Sequence, residues 1–272
     1  MIDFDEIKQF FPEVQQKSPQ LYEYMLKEYF HYKILEIIFN SKPADKLSFI
    51  GGSNLRIIHK IRRFSEDLDF DCFNLERKEF IDLTDQVISQ LSLEGITVHA
   101  DDKEKDLQLK AFRRNMVFPG LMYNLNLSNH IEKRFLIKVE CEPHHFQYTP
   151  DKPVIQKFNV FTQINASPAD VLLSMKSGAV LERQKGRDYY DFIFLSGKTT
   201  PNYYYLKEKL GIASSEELYI SILKSCESVD FRIKSKDFEK LVFDQTEAKK
   251  VLLFREFVKQ KILNQDLDSL KH

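Results

Sequence analysis

Asp67, Asp69 and Asp71 alternate along one short stretch, and Ser53 of a Gly51-Gly52-Ser53 turn lies fourteen residues before the first of them. In an extended chain, Arg63, Ser65, Asp67, Asp69 and Asp71 project to one side, while Phe64, Leu68 and Phe70 project to the other. Carboxylates crowded on one strand face repel unless a cation neutralises them. Hard oxygen donors at this spacing suit Mg²⁺ or Mn²⁺. Gly51 and Gly52 let a backbone approach a phosphate closely, with the Ser53 hydroxyl and the start of the next helix as donors. A solvated edge strand accounts equally well for the acids alone. Their combination with the glycine turn points instead to a phosphate cradle beside a metal-binding acidic pair.

A second group runs from Lys176 to Asp191. Lys176 and Arg183 are two helical turns apart and share a face. Gly186 opens a new turn and places Arg187 and Asp188 at a helix start, with Asp188 and Asp191 on one face. This arrangement suits a cationic clamp for a triphosphate, with acids that orient the lysine or a sugar hydroxyl. A basic helix end with Asp188 as its cap accounts for the same residues.

Other readings fail on specific positions. An EF-hand starting at Asp67 requires Gly and Glu where this chain has Cys72 and Lys78. Ser53-Asn54-Leu55 lacks the lysine of a Walker A loop, and no G-x-G-x-x-G dinucleotide turn occurs. Cys72, Cys141 and Cys226 are widely separated, and adjacent His144 and His145 cannot face one metal from a single element. Forty basic against 41 acidic residues leave a net charge of −1, which gives no global argument for nucleic acid. The N-terminal residues have no secretory pattern, and no apolar run approaches a bilayer span, so a cytoplasmic protein is expected.

The elements that must position these residues follow from periodicity. Ser18-Pro19 starts a helix over 20–39 that ends at Asn40-Ser41-Lys42-Pro43. A strand over 46–50, a short helix over 54–61, an alternating stretch over 64–73 and a helix over 78–93 come next. Strands are expected at 97–100, 107–112, 122–127 and 134–139. The proline-bearing segment 142–157 reads as a seam, and Ser167-Pro168 begins a mostly helical remainder. The expected fold class is mixed α/β (α+β), a small mixed sheet followed by a helical C-terminal half, with domains at 1–155 and 156–272.

Together the two groups resemble the AbiEii family of abortive-infection toxins, a branch of the DNA polymerase β-type nucleotidyltransferases. The pattern G-G-S/T-x-L followed by R-x-S-x-D-x-D matches Gly51-Gly52-Ser53-Asn54-Leu55 and Arg63-Phe64-Ser65-Glu66-Asp67-Leu68-Asp69. The later lysine and R-D-x-x-D elements match Lys176 and Arg187 to Asp191. The resemblance implies a polymerase β-type core, with Asp67 and Asp69 holding two divalent ions. It implies that Gly51, Gly52, Ser53, Arg63 and Ser65 bind the nucleotide, with Lys176, Arg183 and Arg187 on its phosphates. Asp188 is then the residue that positions Lys176 or serves the acceptor.

Such sites often carry a third carboxylate that deprotonates the attacking hydroxyl. Glu140 is the candidate here, with Glu142 as competitor and Asp71 as a surplus acid. The implied reaction moves a nucleoside monophosphate from an NTP to a hydroxyl acceptor such as tRNA, in a toxin–antitoxin or abortive-infection system with a cognate antitoxin. Two other functions use the same residues: a non-catalytic nucleotide- or partner-binding module, and a phosphotransferase attacking the γ-phosphate.

Overall fold

A computed structural model describes residues 2–102 and 111–269. The chain divides into two compact units, Met1–Ser167 and Pro168–His272.

The first unit is built on a five-stranded mixed sheet. Its strands are β1 (Leu47–Ile50), β2 (Leu68–Cys72), β3 (His99–Ala100), β4 (Phe112–Val117) and β5 (Leu136–Pro143), in spatial order β1-β2-β5-β4-β3. Only β2 and β5 run parallel; the other neighbours are antiparallel. Alternation along the strands separates two faces. Phe49, Phe70, Met116, Ile137, Val139 and Cys141 point to one side and are buried. Against this core pack helix α1 (Tyr22–Phe39) and helix α3 (Arg77–Leu93), separated in sequence by the short helix α2 (Gly51–Ile57). Phe30 of α1 lies 4.5 Å from the ring of Phe118 and 5.8 Å from that of Phe135. The opposite face carries Asp69, Asp71, Lys138, Glu140 and Arg113, with Asp69 in register with Glu140, and Glu140 with Arg113.

Several sequence expectations are corrected. Helix α2 begins at Gly51 rather than Asn54, because the glycine turn is itself helical. The strand expected over 64–73 is confined to Leu68–Cys72, since Arg63 folds inward and draws the preceding loop out of the sheet. The strand expected over 122–127 is a short helix, Leu121–Asn124, entered through Gly120 at φ +64°. Of the strand expected over 107–112, residues 107–110 lie outside the described residues, and β4 starts at Phe112.

The boundary between units falls at Ser167–Pro168 instead of 155–156. Residues after 155 belong to the hairpin β6 (Val154–Lys157) and β7 (Val160–Gln163), turned at Phe158 and Asn159 with φ +55° and +64°. Hydrogen bonds from Phe49 N to Asn165 O (2.9 Å) and from Ser167 N to Phe49 O (3.0 Å) tie the following segment to β1.

The second unit is helical in its described residues. Helix α4 (Ala169–Glu182) packs on α5 (Gly186–Ser196), on α6 (Tyr203–Leu210) and on α7 (Ser215–Ser225), and the last helix, α8, spans Phe254–Ser269. Tyr189 of α5 lies 5.0 Å from the ring of Phe231 and 4.7 Å from that of Phe254. A side chain at Gly186 would meet the Lys234 carbonyl oxygen at 1.7 Å, so only glycine allows this close backbone approach. No helix of the described residues is long and apolar enough to cross a membrane.

Candidate active site

The glycine turn and the acidic strand are in direct contact. Gly51 has φ +76°, and a Cβ there would lie 2.3 Å from Asp69 Oδ2. At Gly52 a Cβ would lie 2.7 Å from a guanidinium nitrogen of Arg63 and 2.8 Å from Ser65 Oγ. Gly51→Ala therefore combines a disfavoured backbone conformation with a collision against a candidate metal ligand. We expect it to cost about 2 kcal/mol of stability, read by urea denaturation. Transfer activity should fall at least tenfold, because Asp69 must move.

Ser53 and Arg63 occupy places that the sequence did not indicate. Ser53 is fully buried, and its hydroxyl donates to the Asp67 carbonyl. Arg63 is only 1 % exposed and donates to the Phe64 carbonyl at 2.8 Å. Both residues form the frame of the site: Ser53 fixes the backbone of Asp67, and Arg63 supports the turn at Gly52. Ser65, Asp67, Asp69, Gly51 and Gly52 keep part of their surface open to solvent.

A second hydrogen bond fixes the same loop from the other side. His31 of α1, which is buried, donates Nε2–H to the Glu66 carbonyl at 3.2 Å. Burial lowers its pKa to about 4, outweighing the raising effects of this hydrogen bond and of Glu28 and Asp67. The folded state thus keeps His31 neutral where the unfolded chain, with a value near 6.5, takes up a proton. Its contribution to stability is complete above pH 6.5 and is lost as pH falls toward 4, a change of about 3 kcal/mol. Urea titrations across this window should show that loss in the wild type and a smaller one in His31→Gln.

The open sheet face carries a chain of charges. Lys138 Nζ lies 3.3 Å from Asp67 Oδ2 and 3.3 Å from Glu140 Oε2. Arg113 Nε donates to the same Glu140 oxygen at 2.7 Å. Burial works against the charges of Lys138 and Glu140, and their partners overcome it. Asp67, Glu140 and Asp69 raise the Lys138 ammonium above the ordinary lysine range, while Arg113 and Lys138 hold Glu140 below the ordinary carboxylate range. A carboxylate held in this way is a poor proton acceptor at neutral pH, which argues against the general-base role expected of Glu140. Beside it opens a cleft of about 350 Å³ lined by Lys27, Glu66, Asp67, Asn115, Leu136 and Lys138.

Asp71 is sequestered, as befits a surplus acid. Tyr148 O–H donates to it at 2.6 Å, and His144 Nδ1 lies 3.1 Å from its other oxygen. Glu142, in register with Asp71, is exposed. Asp67 and Asp69 remain as the partly open carboxylates of β2 and its approach. This donor set fits Mg²⁺, which keeps several waters and binds through one or two carboxylates plus substrate phosphates.

In the second unit, the buried Asp191 carboxylate receives Lys176 Nζ at 2.7 Å. Asp188, expected to position that lysine, instead caps the start of α5. It accepts from Lys185 N at 3.1 Å and from Arg183 Nε at 3.0 Å, with a second bond from Arg183 Nη2. Arg183, which the resemblance placed on the phosphates, is engaged by Asp188. Arg187 is half-buried and makes no hydrogen bond or ion pair among the described residues. The residue reading left Asp188 and Asp191 both open as the acid that orients Lys176, and the contact is with Asp191; it left out Lys138, whose alternation with Glu140 was a signal.

A family model described as Nucleotidyl transferase AbiEii toxin, Type IV TA system, matches residues 33–268. The chain belongs to the AbiEii family. This AbiEii protein is accordingly a nucleotidyltransferase of a toxin family. Its fold is similar to MenT4, a nucleotidyltransferase toxin from Mycobacterium tuberculosis H37Rv, with a TM-score of 0.58 and 13% identity over 94% of this chain and 90% of that one. It is also similar to JHP933 from Helicobacter pylori, with a TM-score of 0.51 and 16% identity over 92% of this chain and 98% of that one. At these identities the likeness is one of fold. No curated protein matches the AbiEii chain in sequence.

Proposed function

We propose that this AbiEii protein transfers a nucleoside monophosphate from an NTP to a hydroxyl of an RNA acceptor, with tRNA as the leading candidate. The observation that carries the reading is the contact between the Gly51 turn and the Asp69 carboxylate, with Asp67 one step along the same edge. Phosphate-binding backbone and metal-binding carboxylates then share one place. Asp67 and Asp69 are the residues to hold Mg²⁺ or Mn²⁺, which supplies charge neutralisation at the α-phosphate and the departing pyrophosphate.

The acceptor hydroxyl forms the new O–P bond as the bond to pyrophosphate breaks, and its proton leaves to solvent. The N–H groups of Gly51 and Gly52 and the Ser65 hydroxyl orient the phosphates, while Ser53 and Arg63 hold that frame. Within the second unit, Lys176, kept in place by Asp191, and Arg187 are the side chains we propose as phosphate-binding cations. Asp188 and Arg183 shape the start of α5 and act at one remove. A toxin of this kind works in the cytoplasm, where NTP and RNA are available, and is opposed by a cognate antitoxin.

The test is incubation with each α-³²P-labelled NTP, Mg²⁺ or Mn²⁺ and total RNA, in parallel with γ-labelled NTP. Label from the α-position in RNA supports the reading and identifies the base. Label only from the γ-position would establish a phosphotransferase in its place. If RNA is the acceptor, incorporation at limiting RNA should fall steeply with added salt.

A further inference from the structure

We infer that Lys138 is a resident cation of the acidic face, so that Asp67 and Asp69 take up one divalent ion rather than two. The inference rests on the metal-dependent reading above and specifies it. On β5, Lys138 and Glu140 project to the same side, and Glu140 stands in register with Asp69 of β2. That register puts Glu140 where a third carboxylate could reach a second ion shared with Asp69. Its Oε2 is already committed, however, to Arg113 at 2.7 Å and to Lys138 at 3.3 Å. The same ammonium reaches Asp67 at 3.3 Å, and so already links Glu140 to the acidic pair as a cation.

The charges agree with this geometry. Taken together, Asp67, Asp69, Glu140, Arg113 and Lys138 sum to −1. With no nucleotide bound, one divalent ion takes that sum to +1, whereas two would take it to +3 close to two fixed cations. Asp71 cannot make up the deficit, since Tyr148 and His144 occupy its two oxygens and it is buried. Among the described residues, no group of three or more His, Cys, Asp or Glu side chains is gathered to hold a metal. Lys138 also lines the cleft beside Asp67, so its ammonium faces the space from which an ion arrives.

The experiment counts bound Mn²⁺ on the full chain, with Mn²⁺ alone as probe, by electron paramagnetic resonance and isothermal titration. We expect one Mn²⁺ per chain in the wild type, lost in Asp67→Asn and in Asp69→Asn. Lys138→Met should bind a second ion, or bind the first at least tenfold more tightly, because a neighbouring positive charge has gone. Lys138→Arg, which keeps that charge, should behave as the wild type and covers the case in which the methionine variant fails to fold. Two ions in the wild type, or a Lys138→Met protein unchanged in number and affinity, would overturn the inference while leaving the metal reading intact. Absence of Mn²⁺ binding in every protein, Lys138→Met included, would overturn both.

Discussion

Asparagine in place of Asp67 or Asp69 is expected to lower nucleotide transfer by roughly a thousandfold or more, while the protein stays folded. The substitution keeps the shape and removes the charge. The Gly51–Asp69 packing survives, and Ser53 still donates to residue 67 because its acceptor is the backbone carbonyl. Lys138 keeps Glu140 as a partner. A change in stability within about 1 kcal/mol is therefore expected, as for a partly exposed ion pair. Asp71→Asn should behave in the opposite way. Its oxygens are held by Tyr148 and His144 in a buried place, so stability should fall by about 1–3 kcal/mol with a much smaller effect on rate. Initial rates of α-label incorporation, alongside thermal denaturation of all three variants, separate the two patterns. A full rate in Asp67→Asn or Asp69→Asn would remove that carboxylate from the metal site.

The second large effect concerns Lys176 and Asp191. Removing the ammonium in Lys176→Met leaves a carboxylate with no exposed surface without its cation, and Asp191→Leu does the converse. Each single change should cost about 3–5 kcal/mol, since a buried charge that loses its partner keeps its desolvation penalty. The double variant Lys176→Met/Asp191→Leu removes both charges and should recover most of that stability. Transfer activity should not recover with it, because the lysine that we assign to phosphate is still missing. Wild-type rates in a refolded double variant would make the pair purely structural. Chemical denaturation and initial rates at saturating and limiting NTP provide the two readouts.

Local spacing made the central elements legible. A glycine pair ending a strand, acids alternating with Phe70 and Leu68, and Lys176 on a helix before a Gly186 break all follow from chain geometry over a few residues. The five-stranded mixed sheet and the helical second unit agree with the periodicity of the sequence. The expected strand at 122–127 failed for a local reason as well: its apolar residues suit either state, and Gly120 at positive φ turns the chain into a helix.

The sequence by itself thus determined which side chains share a face, because a period of two on a strand and of about 3.6 on a helix sets it. Only the tertiary structure decided which of those side chains are open and which are engaged. Ser53 and Arg63 turned inward to hold the Asp67 loop, and Tyr148, 77 residues beyond Asp71, removed that acid from the open face. Arg113, 27 residues before Glu140, bound the carboxylate that had looked like a base. Asp191 rather than Asp188 received Lys176, although both acids lie on one face of α5. Such pairings depend on strand register and helix packing between segments far apart in the chain, and a buried charge takes whichever partner the fold brings within reach.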